Sequence, residues 1–309
     1  MEINDIINWL LEGDPSIRYQ TKRDLLISSS NEIEKEQMKI SKEGWGYLFL
    51  LKQDKAGTWG GNLYSPKWIS TTYTLQLLRR VGLQPDNSKA KAGAKILLDK
   101  GYYDKDGGIN YFRSLNHSET CVTGIILAIT CYFNIIDDRI DDLANFLLKQ
   151  QMPDGGWNCQ SFNGATHSSF HTTLLALEGL WEYKKKTPCQ NNIFEESKNK
   201  AIELLLQHKL YKSDKTGKII KPQFTRFSFP PRWYYDVMKA LDFMQKINAP
   251  KDKRFNDAIN LLIKKQTKEG LWKLQAKHQG KVFFEMEKVG EPSRWNTLRA
   301  LRILKWWNN

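Results

Sequence analysis

Gln53-Asp-Lys-Ala-Gly57-Thr-Trp59, Gln151-Met-Pro-Asp-Gly155-Gly-Trp157 and Gln266-Thr-Lys-Glu-Gly270-Leu-Trp272 repeat one spacing three times within 309 residues. Each follows an apolar run of helical character, FLLKQ, FLLKQ and LLIKKQ. A glutamine, a glycine four residues on and a tryptophan six on mark a recurring supersecondary unit, and such repeats decide a fold before any other signal. Around them, apolar residues recur at three- and four-residue spacing in nearly every long segment, and no run alternates as a strand.

The helical segments come in pairs. The first members are Lys42–Gln53, Ser88–Lys100, Asp137–Gln151, Glu195–Leu210 and Asp252–Gln266. The second members begin after polar loops: Ser70–Leu83, Ser118–Phe133, Ser169–Tyr183, Trp233–Ile247 and Arg294–Trp307. With Thr72, Thr120, Thr172, Asp236 and Asn296 taken as equivalent, the steps are 48, 52, 64 and 60 residues. That period suits a two-helix repeat with loops. Two repeats have lost the full string: Gly107-Gly108 lacks the tryptophan, and the Gln207 region runs into a basic insert through Lys221. The opening DPSIRYQTKRDLL has an Asp-Pro helix start and reads as a HEAT-like unit, so residues 1–40 are expected to cap a single domain spanning 1–309. The expected class is all-α, with about five to six helical hairpins.

Composition narrows the function classes. A hydrophobic content of 40% in 309 residues supports a large buried core. The longest apolar stretch, Val122–Ile136, is interrupted by Thr130 and Asn134 and is too short to span a bilayer. The start MEINDIINWLLEGD has neither a basic leader nor a cleavage site. Cys121, Cys131, Cys159 and Cys189 show no close pairing, so reduced thiols and a cytoplasmic location are expected. The net charge of +13 could attract anionic lipid, diphosphate or nucleic acid. Much of it lies in scattered lysines on polar helix faces, which favours a solubilised surface over nucleic acid and leaves peripheral membrane contact open.

The three strings resemble the QW repeat of the squalene and oxidosqualene cyclases, shared in looser form by the β subunits of protein prenyltransferases. The resemblance runs from about Gly44 to the C-terminus. It implies an α/α toroid, an inner ring of helices inside an outer ring, with the second helix of each pair facing a central cavity. It further implies an isoprenoid or similar apolar ligand there. At about half the usual cyclase length, the chain lacks the second barrel of those enzymes, and no partner subunit is inferred.

Helix N-termini favour anionic groups, so the inner-helix starts are where the resemblance directs attention. Glu119-x-Cys121 and His171 resemble the prenyltransferase zinc ligands, an Asp-x-Cys at one inner-helix start and a histidine at a later one, with Glu in place of Asp. Carboxylate, thiolate and imidazole suit zinc, and Cys159 or His167 could supply another ligand. A bland account gives Glu119 a helix-dipole role and makes Cys121 and His171 packing residues. The fourth start, Pro230-Pro231-Arg232-Trp233-Tyr234-Tyr235-Asp236, sets a carboxylic acid beside aromatics. A cyclase needs an acid to protonate a polyene and aromatic faces to stabilise carbocations. Asp236 would be that acid, flanked by Tyr235 and Arg232, although it could equally serve the helix dipole or pair with Arg232. Trp68, Tyr73, Phe170, His167, Trp233, Trp295 and Asn296 are expected to line the ligand site. The squalene-type acid string D-x-D-D is absent, and its nearest match, Asp104-Lys-Asp106, lies in a degenerate loop. Asp137-Asp138-Arg139-Ile140-Asp141 matches a diphosphate-binding string but opens an outer helix, where acids are expected as capping charge. Glu285, Glu287 and Glu291 are read mainly as solvated surface. The rival function is a non-catalytic helical-repeat protein that binds a lipid, peptide or nucleic acid.

Overall fold

The computed structural model describes residues 2–112, 114–187 and 191–309, so Cys189 lies outside the described residues. The fold is all-α, as expected, and its helices follow the paired pattern of the sequence. The chain divides into two compact units. One comprises residues 53–79 and 85–205; the other comprises 1–52, 80–84 and 206–309.

In the 53–205 unit, α5 (Thr71–Val81), α7 (Thr120–Tyr132) and α9 (Phe170–Lys184) are the second helices of their pairs. The first helices are α6 (Ser88–Gly101), α8 (Arg139–Lys149) and α10 (Asn191–Gln207). Helix α7 is apolar on all sides and buried from Val122 to Cys131, which explains the long hydrophobic run without a membrane. Among the described residues no helix is long and apolar enough to cross one. Helices α7 and α9 touch backbone to backbone. A Cβ on Gly124 would meet the Leu175 carbonyl oxygen at 2.7 Å, and one on Gly179 would meet the Gly124 carbonyl oxygen at 2.6 Å. A charged group is buried beside them: Arg79 bonds Glu178 at 2.8 Å and Glu182 at 3.2 Å.

The other unit holds α4 (Gly44–Leu50), α11 (Val237–Lys246), α12 (Asn256–Lys264) and α13 (Arg294–Asn308). It also takes in the first forty residues, folded as α1 (Ile3–Leu11), α2 (Pro15–Asp24) and α3 (Ser30–Lys39). The Asp-Pro start works as expected, the Asp14 carboxylate accepting from the Ser16 N–H with proline at the first helical position. Helix α2 packs on α13, the last helix of the chain. Arg302 donates to Asp24 at 2.8 Å and Gln20 at 2.9 Å, and Arg294 donates to the Trp9 carbonyl at 2.9 Å. The opening segment is thus joined to the final hairpin by buried charge.

The glutamine–glycine–tryptophan strings have a common architecture. Glutamine amides donate back to the glycine carbonyl four residues on, at 2.9 Å (Gln53), 2.7 Å (Gln151) and 3.1 Å (Gln266). Gln53 and Gln151 also donate to a carbonyl in the next first helix, Lys89 and Ser197. The glycines adopt φ of 81°, 97° and 88°, a conformation that side chains with a Cβ resist. The three tryptophans are fully buried. Each backbone N–H donates at 3.0 Å to a threonine hydroxyl in the first turns of the second helix: Trp59 to Thr71, Trp157 to Thr173, Trp272 to Thr297. The degenerate second repeat keeps the bond, Ile109 donating to Thr123 at 2.9 Å. The hydroxyl bond fixes the register: Thr71 and Thr123 are equivalent to Thr173 and Thr297. The sequence alignment through Thr72 and Thr120 is therefore shifted in the first two repeats.

The structure departs from the sequence pattern at the fourth second helix. That helix begins at Val237 rather than Trp233, because Pro230-Pro231 and the left-handed Arg232 (φ 54°) precede a capping Asp236. A two-residue strand pair, Tyr102–Tyr103 with Gly108–Ile109, closes the turn of the repeat that lacks the tryptophan. In the same turn Asp106, the nearest match to the cyclase acid string, accepts from the N–H of Ser118 at 2.7 Å and from its hydroxyl. Asp154 holds Ser168 in the same way. These aspartates tie loop to helix.

Replacing Thr173 by valine keeps the shape and removes the acceptor for the buried Trp157 N–H. An orphaned buried donor costs about 1–3 kcal/mol. Urea unfolding of Thr173→Val is expected to show a loss of that size with an unchanged m value, whereas an exposed threonine such as Thr216 should tolerate the same change.

Candidate functional site

The candidate residues fall in both units, and each cluster is described within its own. In the 206–309 unit, Asp236 is 2% exposed and caps α11. One carboxylate oxygen accepts from the Lys239 N–H at 2.7 Å; the other accepts from the Ser228 hydroxyl at 3.0 Å and its N–H at 3.4 Å. Asp236 therefore does in the fourth repeat what threonine does in the others, receiving the backbone N–H of the preceding loop. Tyr235 donates its hydroxyl to the Leu210 carbonyl at 2.6 Å, and burial pushes that phenol well above its ordinary range. Arg232 is buried.

Beside this cap lies a group that neither periodicity nor the repeated strings marked. His278 approaches the Ser228 hydroxyl with Nε2 at 3.1 Å and stacks on Tyr234 at 4.0 Å, which stacks in turn on Trp233 at 3.8 Å. The single Ser228 proton goes to Asp236, so Nε2 of His278 is the donor to Ser228. Burial, with Arg232 and Lys239 nearby, lowers the His278 imidazole to about 4. Trp295 is buried and stacks on Phe229 at 4.2 Å. Asn296 donates to the Lys273 carbonyl at 3.0 Å, a packing role at the base of α13. Glu287 accepts from the Ser293 hydroxyl and the Trp295 N–H, and burial raises its carboxyl. Glu285 pairs with Lys277 on the surface.

In the 53–205 unit, Trp68 and Tyr73 are buried edge to face at 4.8 Å. Tyr64 joins them, 5.2 Å from Tyr73, and also meets Tyr111 and Phe112 at 6.2 and 5.5 Å. Tyr64, Tyr111 and Phe112 sit in loops without periodicity, so nothing in the sequence marked them. Burial first, and then the neighbouring Tyr73, Cys121 and Glu119, raise the Tyr64 phenol far above its usual value, which puts Glu119 and Cys121 near this aromatic group.

Glu119 is the N-cap residue of α7, with its own N–H on the Ile109 carbonyl. Its side chain does not cap the helix, and no described residue hydrogen-bonds to its carboxyl. Burial pushes that carboxyl up, with His117 opposing. Cys121, two residues on, donates its backbone N–H to Cys159 Sγ at 3.1 Å. Cys159 also meets the Thr172 hydroxyl at 3.4 Å. Phe170 and His171 are half-buried at the start of α9, and His167 is exposed, its carbonyl held by Asn158. Among the described residues no group of three His, Cys, Asp or Glu side chains is placed to hold a metal ion. In the Asp137–Asp141 string, Asp137 pairs with Arg139 and Lys95 at the start of α8, the capping charge expected of it.

No family model and no curated protein matches the chain. Among solved structures, the chain is similar to a protein from Actinoplanes, at 15% identity and a TM-score of 0.47, over 96% of this chain and 91% of that one. It is also similar to the type II terpene cyclase MstE from Scytonema. A variant of that enzyme in complex with merosterolic acid A matches at 17% identity and a TM-score of 0.49, over 98% of this chain and 95% of that one. Another, in complex with geranylgeranyl dihydroxybenzoate, matches at 16% and 0.49, over 99% and 95%. Identities and scores this low leave activity and ligand open.

The depressed His278 imidazole predicts an acid-sensitive fold. A histidine whose folded value, about 4, lies below its ordinary 6.5 takes up its proton more readily once unfolded. Its stabilising contribution is complete above about 6.5 and is lost as the pH falls toward 4. In an NMR titration, one imidazole should titrate near 4 and vanish in His278→Gln, and the variant should lose less stability than the parent between those pH values.

Proposed function

We propose that the protein is a terpenoid-cyclase-like enzyme that binds an isoprenoid or similar apolar molecule and starts a cyclisation by protonating a carbon–carbon double bond. Three QW strings support the superfamily. One observation carries the chemistry: a half-buried carboxyl, Glu119, raised by burial and held by no described hydrogen bond, acts on the phenol of Tyr64, which packs on Tyr73 and through it on Trp68. Such a carboxyl retains its proton at higher pH than an ordinary one and has that proton to give. The aromatic faces suit the carbocation that protonation creates, each contributing about 0.5–2 kcal/mol when desolvated. Loss of a proton from the cation ends the reaction, so the product is an isomer of the substrate.

Asp236 was the acid expected from the sequence, and its buried position beside aromatics fits that role. Against it, both of its oxygens are engaged by the α11 cap and by Ser228. We therefore assign the proton to Glu119. A zinc-dependent reaction would need a third donor beside Glu119 and Cys121, and the described residues do not bring one. No step is routed through a metal.

The test is incubation of purified protein with a polyprenyl alcohol and with a prenylated arene, reading isomeric products by chromatography and mass spectrometry. Glu119→Gln should lower turnover by about 10²–10⁴-fold while leaving ligand binding intact. Asp236→Ala should instead cost helix stability, about 0.5–2 kcal/mol as a lost cap, with turnover of the folded fraction retained. The acid must be protonated to act, so the rate should fall as pH rises through the raised Glu119 value. Turnover should also survive chelation. Equal turnover in Glu119→Gln would remove Glu119 as the acid, and tight prenyl-ligand binding with no product from the parent protein would overturn the enzyme reading in favour of a binding protein.

A further inference from the structure

Cys121 and Cys159 are 38 residues apart in sequence and meet at the first turn of α7. Cys159 Sγ accepts the Cys121 backbone N–H, one of the helix N–H groups that have no intrahelical partner. The Thr172 hydroxyl, at the start of α9, lies 3.4 Å from the same sulfur. Both cysteines are half-buried, neither sealed in the core nor fully solvated, whereas Cys131 is 2% exposed. No metal chemistry accounts for the pair, since no third donor accompanies it among the described residues.

We propose that Cys121 and Cys159 are a redox pair, closed to an intramolecular disulfide by a hydroperoxide and reopened by a dithiol reductant. Cys159 is the attacking sulfur, because its Sγ accepts an N–H of the α7 N-terminus and meets the Thr172 hydroxyl, surroundings that favour a thiolate. The thiolate displaces the distal oxygen's partner from the peroxide: an S–O bond forms, the O–O bond breaks, and hydroxide or alkoxide leaves. Cys121 then attacks the sulfur of the sulfenic acid; the S–S bond forms, the S–O bond breaks, and the departing hydroxide takes the Cys121 proton as water. In sum, two thiols and one hydroperoxide give one disulfide, water and the reduced peroxide. The Cys121 N–H on Cys159 Sγ already holds the two residues side by side.

Closure would tie the loop that follows Trp157 to the helix start that bears Glu119. Control of turnover by this link rests on the reading of Glu119 as the acid; formation of the link does not.

The native protein is treated with hydrogen peroxide at neutral pH, alkylated, digested and mapped by mass spectrometry. We expect two alkylatable thiols to disappear together, a peptide pair joined through Cys121 and Cys159 to appear, and dithiothreitol to restore both. Cys121→Ser should stop at a dimedone-reactive sulfenic acid on Cys159, and circular dichroism establishes that the variant is folded. The Cys131 thiol, pushed up to about 12 by burial, should stay unmodified until denaturant is added. Two outcomes overturn the pair: Cys159 running on to sulfinic acid with no cross-link, or both thiols remaining alkylatable after peroxide. If the cross-link forms and turnover does not change, the redox pair stands and its control of the Glu119 site fails.

Discussion

A backbone N–H that would otherwise be buried without an acceptor sets the geometry of every repeat. Each tryptophan turns inward after a left-handed turn that favours glycine, and its amide is left facing the interior. The hydroxyl of a threonine in the second helix receives it, in Thr71, Thr173 and Thr297, and Thr123 receives Ile109 in the repeat without a tryptophan. One short polar contact thus decides where the second helix begins relative to its loop. The glutamine amide ties the same loop to its own helix end and, for Gln53 and Gln151, to the next repeat. Packing of the indole then follows, because the ring has one buried place left to go.

That rule separates structural acids from chemical ones. Asp236 takes the place of the threonine hydroxyl and adds a helix cap, so its burial is explained by the repeat alone. Asp106 and Asp154 each hold a serine just ahead of a second helix, and Glu287 holds Ser293 at the start of α13. Glu119 has no comparable task. The second repeat already has Thr123 for its loop amide and Asp106 for its serine, so the carboxyl beside them is surplus to the architecture.

The paired helices were legible in the sequence because 3.6-residue periodicity and the glutamine–glycine–tryptophan spacing are both local. Their ends were read to within a few residues, apart from α11, where proline and a left-handed arginine delay the start until Asp236 can cap it. Register was less legible. Thr71 and Thr72 are adjacent, and Thr120 and Thr123 lie one turn apart, so composition could not say which hydroxyl faces the loop. The site was legible only where it fell on a helix start, as Glu119, Cys121, Asp236 and Trp295 do. Tyr64, Tyr111, His278 and Ser228 come from aperiodic loops, and their meetings depend on tertiary contacts that span up to 50 residues.

Why the carboxyl at one helix start is raised can be argued from chain length. Aspartate at an N-cap is short enough for its oxygen to reach back to the third amide of the helix, as Asp236 does to Lys239. Glutamate carries one methylene more, and at the N-cap of α7 its side chain makes no such bond. The dipole of α7 favours a charged carboxylate, by about 0.3–1 kcal/mol at an exposed site, but without direct amide contact that influence is weak. Burial acts in the opposite direction and prevails, and the result is a raised carboxyl. The free α7 amide at Cys121 turns instead to the sulfur of Cys159. Glutamate, where aspartate or threonine would serve as the cap, therefore leaves both a carboxyl raised by burial and an amide available to a thiol.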